Sequence, residues 1–202
     1  MGFNENYVAG FDACPTWAPV LGYMGAAICI IFANWGAAVG TWKCGLGLCG
    51  MGISHPNGII KNLIGIIMAG VLGIFGLIVS IILGGGITGP DENGMATYSQ
   101  FNGWSDFAAG LCCGATCLAA GYATGIAGET SILAVGVRAM GNKHRQSRGA
   151  PGGVGDDFDE GDAGKLYIAG VTILSFAGAL GLYGFIVALI IASTPGYYCS
   201  AN

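Results

Sequence analysis

The sequence predicts an all-α membrane protein of four transmembrane helices, built as two duplicated hairpins, on three observations. Of its 202 residues, 53% are hydrophobic and only 9% are charged, whereas water-soluble domains carry roughly a quarter charged residues. Four windows contain no Lys, Arg, Asp or Glu: Trp17–Trp42, Leu63–Leu83, Phe107–Gly128 and Leu166–Ala192. Each exceeds the roughly 20 residues an α-helix needs to cross the hydrocarbon core. Finally, the run MAGVLGIFGLIVSII (Met68–Ile82) returns as FAGALGLYGFIVALII (Phe176–Ile191) after a shift of 108 positions. Ala69, Gly70, Leu72, Gly73, Gly76, Ile78 and Val79 all meet identical residues in that shift. A repeated apolar segment is the mark of a repeated membrane hairpin.

Residues 1–16 form an N-terminal tail with no basic region before the first apolar run, which argues against a cleaved signal peptide. Asn6 stands where a myristoylation signal following Gly2 requires Ser or Thr. The first hairpin spans residues 17–85. Its first helix is rich in Gly and Ala, small residues that let backbones approach closely in lipid, where burial against protein gains nothing over burial in lipid tails. Helices one and three are therefore expected to face protein, and helices two and four to face lipid in part. Asn34, midway along helix one, is expected to be a buried amide bonding between helices. A loop at residues 86–103 leads to the second hairpin at 104–194, and residues 195–202 form a C-terminal tail. Helices one and three align at a shift of 85, which pairs Gly25 with Gly110, Gly36 with Gly121 and Gly40 with Gly125. These six glycines are the expected packing positions. The two shifts differ by 23, so the second hairpin holds that much extra chain, seen as a polar insertion at about 141–164. Its basic block, Gly/Pro stretch and five acids within Asp156–Asp162 cannot bury apolar surface, so a mobile, solvated segment is expected, with docking to a soluble partner as the alternative.

All seven Lys and Arg residues fall in the two loops joining helix one to two and helix three to four. By the positive-inside tendency those loops are cytosolic, and both tails and the 86–103 loop lie on the opposite, lumenal side. Cys14 and Cys199 sit in those tails just outside helix ends. An oxidising lumen would allow them to form a disulfide, and two free thiols are the alternative. The remaining six cysteines fit as small apolar packing residues. No His or Cys cluster has metal-ligand spacing, no cofactor motif is present, and no nucleophile–base pair marks a catalytic residue. Glu129, at the end of helix three, is a weak candidate ion ligand; an interfacial carboxylate needs no function. Without a basic patch carrying interleaved aromatics, nucleic acid is not an expected partner; membrane lipid is.

The stretches GYMGAAICIIFANWGAAVGTWKCGLGL (Gly22–Leu48), MAGVLGIFGLIV (Met68–Val79), LAAGYATGIAGE (Leu118–Glu129) and FAGALGLYGFIVAL (Phe176–Leu189) resemble the V-type ATPase proteolipid family, the four-helix ring subunits. The resemblance implies a ring with helices one and three inside, other proteolipid subunits beside this one, and a stator and an ATP-hydrolysing sector as further partners. It implies a vacuolar or other acidic-organelle endomembrane. It also implies a proton-carrying Glu midway along an outer helix, and here the chain departs from the pattern. Gly178 occupies that position, and Gly70 the matching one in helix two. Two readings follow. One is a membrane-sector proteolipid of a rotary proton pump that is itself a non-protonating or structural ring member. The other is a scaffold or pore that forms a homo-oligomer of this fold without pumping.

Overall fold

The computed structural model describes residue 15 and residues 17–54, 58–87, 98–147 and 163–194. Among the described residues five helices occur, in the order α1 (Ala18–Ser54), α2 (Ile59–Asn62), α3 (Ile64–Gly86), α4 (Gln100–Ser147) and α5 (Ala163–Ala192). Four stretches are long and apolar enough to cross a membrane: Ala18–Ile53, Ile59–Gly86, Gln100–Arg138 and Gly164–Ala192. They match the four expected spans, with α2 and α3 together forming the second. The short α2 leads into α3 through Leu63, whose carbonyl accepts from the N–H groups of Ile66 and Ile67.

The helices outrun the charge-free windows. α1 has 37 residues and α4 has 48, lengths of about 55 and 72 Å at 1.5 Å per residue. A hydrocarbon core is only about 30 Å thick, so both continue beyond it, where Lys43, Glu129 and Arg138 interrupt the apolar sequence without interrupting the helix. Part of the expected insertion belongs to α4, which runs through Ser147. Residues 148–162 lie outside the described set.

α1 and α4 form the central pair. α1 packs most extensively against α4, α5 covers α4, α3 covers α1, and α3 also meets α5. In the most apolar window of each span, 39% of α1 and 44% of α4 is buried, against 28% for both the second and fourth spans. The inner and outer roles are those expected from the small residues. α3 turns one stripe inward, Gly65, Ala69, Leu72, Gly76, Val79 and Leu83. The alternating steps of four and three keep one face of a 3.6-residue helix against its neighbours. The main core gathers Ala26, Cys29, Ala33, Val79, Leu83, Ala109, Cys113, Cys117 and Ala188. Phe75 and Phe185 lie against it with ring centroids 5.2 Å apart, joining the two outer helices. Such small core residues bring the inner helices within van der Waals reach, the contact that holds helices together in lipid.

The expected burial of Asn34 is corrected here. Within the chain its side chain is exposed, with no hydrogen bond among the described residues. The buried amide is Asn62, 3% exposed, which donates to the Gly58 carbonyl at 3.0 Å and rests on Met51 Sδ at 3.4 Å. The hydropathy of α1 located Asn34 along the helix but not around it.

Candidate functional site

The α1–α4 seam is made by glycine. A methyl group added at Gly121 would overlap the backbone of Gly36, and one added at Gly110 would overlap that of Gly25. From the other side, a Cβ at Gly36 would stand 2.7 Å from Leu118 Cα, and one at Gly25 would stand 2.7 Å from Phe107 Cα. Gly40 and Gly125 also meet here, with 3.1 Å between an added Gly125 Cβ and Gly40 Cα. The glycines paired by the repeat therefore oppose each other in space. Thiols add weak polar ties along the same core. Cys44 Sγ donates to the Thr124 carbonyl across the seam, and Cys29 Sγ to the Gly76 carbonyl on α3, both at 3.7 Å.

Gly178 and Gly70, which the resemblance marks as the expected proton-carrier positions, contrast with the seam. An added Cβ at Gly178 meets only Met68 Cε, at 3.5 Å, and one at Gly70 meets nothing within 4 Å. Neither glycine is demanded by packing. No carboxylate stands in their helices to replace the absent one: α3 has no Asp or Glu from Ile64 to Gly86, and α5 none from Ala163 to Ala192.

Glu129 is engaged by Lys43, with 3.4 Å between Nζ and Oε2 across the seam. The pair is part exposed. Cys14 and Cys199 lie outside the described residues. Two polar junctions escaped the sequence reading. At one end of the bundle Tyr98 OH donates to Asp106 and stands beside Gly22, packed with Ala18 and Ile87. Burial first, then the bond to Asp106, pushes the Tyr98 phenol above its ordinary range, so it remains a donor. At the other end Tyr167 OH donates to the Lys61 carbonyl at 2.9 Å, tying the start of α5 to the α2–α3 junction. Ser131, Tyr167, Gly170 and Asn62 line a small recess there. The Tyr167 bond joins residues more than a hundred positions apart, and no local spacing signals it.

Comparison with known proteins accords with this arrangement. The family model for the C subunit of ATP synthase matches residues 24–83, the first hairpin. The 16 kDa proteolipid of the V-type proton ATPase of Chrysotila carterae is 46% identical over 182 residues, 90% of this chain and 95% of that one. The V-type proton ATPase proteolipid of Dictyostelium discoideum is 39% identical over 188 residues, 93% of this chain and 81% of its own. With four membrane-spanning helices around a glycine seam, and relatives that match most of its length, this chain is a multi-pass integral membrane protein of the V-type proton ATPase proteolipid family.

Proposed function

We propose that this chain is a ring subunit in the membrane sector of a V-type proton-pumping ATPase that takes part in rotation without carrying a proton itself. The observation behind this reading is Gly178, together with Gly70. To move a proton across lipid, a ring member needs a group that binds it within the bilayer. The group must stay neutral against hydrocarbon and ionise beside a positive charge of the stator. Glycine has no such group. The rest of the fold is retained: inner and outer helices, the glycine seam, and two outer faces free to lie against lipid and stator.

On this reading the neighbours in the ring are proteolipids that do carry carboxylates. A blank position travels past the stator while adjacent sites bridge its half-channels. The membrane is that of a vacuole or another acidic organelle. Both termini lie in its lumen, because the seven basic residues, most of them on helix ends and not in loops as the sequence suggests, all cluster where the chain passes from the first span to the second and from the third to the fourth.

The test is gentle extraction of the tagged protein, mass spectrometry of what accompanies it, and treatment with a carbodiimide. Carboxylate-bearing proteolipids and the ATP-hydrolysing sector should co-purify in fixed ratio. The membrane core of this protein should stay unlabelled while its neighbours react. A homomeric particle without those partners would overturn the pump reading, and label within the spans of this chain would overturn the claim that it carries no proton.

A further inference from the structure

We propose that Asn34 is a polar contact across the seam between neighbouring ring members, meeting a hydroxyl on the third span of the adjacent proteolipid at the level of Thr116. The inference rests on the ring reading above. Asn34 is the lone amide between Ala18 and Trp42, and it lies about 12 Å along the helix from Trp42. It is exposed in the single chain, without a hydrogen bond among the described residues. An amide left facing hydrocarbon at that depth is costly, so its partner must come from outside the chain.

Its position on α1 identifies the partner. At about 100° per residue, Ala27, Asn34 and Ala38 lie about 160° around the helix from Gly25 and Gly36, the glycines facing α4. With Ile31 they form a stripe in steps of four, three and four, and all four residues are exposed. α4 carries a comparable stripe away from α1, bordered by α5: Ala119 is exposed, and Cys112, Thr116 and Ala123 are half-buried. In a ring where first and third spans alternate, these are the two surfaces left to meet. Heights agree as well. Gly36 is level with Leu118, since its added Cβ would stand 2.7 Å from that Cα, so Asn34 is level with Thr116. Rotation about the ring axis preserves height, bringing the neighbour's residue at this position opposite Asn34. The Cβ of a helical residue leans toward the N-terminus, which aims the amide at that turn.

The receiving chemistry is available on this chain's own α4. The Thr116 hydroxyl gives its hydrogen to the carbonyls of Cys112 and Cys113, at 2.9 and 3.0 Å. The hydroxyl stands over Gly184 of α5, where an added Cβ would overlap it, so it lies in the half-buried α4–α5 groove and offers a lone pair to an amide N–H entering from the groove's open side. On the first-span side, Asn34 Oδ1 rests over Gly73, where a Cβ would approach to 2.9 Å, so the side chain lies in the α1–α3 groove at the edge of the hairpin. Small residues on both stripes allow the close approach that a hydrogen bond in lipid requires.

The experiment places a photo-crosslinking amino acid at position 34 or at position 38 of the full chain in its native membrane, and identifies linked peptides by mass spectrometry. In parallel, Asn34→Leu and Asn34→Gln are compared by the amount of intact ring surviving graded detergent. Both probes should link to the third span of a neighbouring proteolipid. Asn34→Leu should leave about three- to tenfold less intact ring, and Asn34→Gln should restore most of it. Links to lipid alone from both positions would overturn the ring reading and this inference together. Proteolipid links with an Asn34→Leu ring as resistant as the parent would leave the ring standing and overturn the polar seam alone.

Discussion

Gly36 and Gly121 admit nothing larger than hydrogen, while Gly70 and Gly178 have room beside them, so one substitution has opposite consequences at the two places. Gly121→Ala forces a methyl group into the Gly36 backbone and pries the inner helices apart. Overpacking of this kind costs about 1–3 kcal/mol, and the well-folded fraction in mild detergent should fall. Gly70→Ala meets open space. It removes the conformational freedom that makes glycine a poor helix residue, and should raise stability by about 0.5–1 kcal/mol. Thermal unfolding of the extracted protein, read by circular dichroism, checks both; equal effects would mean that the seam yields more readily than its geometry indicates. The repeat revealed the seam glycines, because a shift of 85 matched them as pairs. It could not separate them from Gly70 and Gly178, which share the same small size and spacing and differ only in what stands opposite.

Along each helix, apolar sequence marks the part in the membrane and says little about where the helix stops. Lys43 and Glu129 close the charge-free windows, yet α1 and α4 run on past them, because a charge that finds a counterion or water does not break a helical backbone. The 3.4 Å ion pair between them stands with side chains 36% and 28% exposed, so solvent screens it and its loss is small. Glu129→Gln should cost no more than about 1 kcal/mol. Asn62 is different. It is almost fully buried at the α2–α3 junction and its side chain donates to the Gly58 carbonyl, so Asn62→Ala removes that side-chain bond and leaves a void beside Met51. A loss of about 1–3 kcal/mol is expected, and the two variants compared by thermal scan in one detergent should rank in that order. Asn34 and Asn62 were equally plain as amides in the sequence. Their burial was not, since an amide's surroundings depend on how its helix is turned against its neighbours, which hydropathy along the chain does not record.

At the scale of the assembled pump, a blank ring position alters stoichiometry before it alters speed. On the proposed reading each carboxylate carries one proton per turn and Gly178 carries none, so every copy of this chain in a ring would lower the protons moved per ATP. The energy of one ATP is then divided among fewer protons. Since each pH unit costs about 1.36 kcal/mol per proton, the steepest gradient the pump can hold rises. Membranes containing this protein should show a lower proton-to-ATP ratio and a steeper limiting pH difference than membranes with carboxylate-bearing proteolipids alone. Gly178→Glu should reverse both, because an added Cβ there meets only the flexible end of Met68, at 3.5 Å. The same variant should gain carbodiimide label in α5. Label without a change in ratio would mean that the glutamate fits but is never offered to the stator, which would assign this chain's passivity to its surroundings in the ring rather than to Gly178 itself. A rise in ratio with label would show that one missing side chain is the whole difference between this protein and a proton carrier.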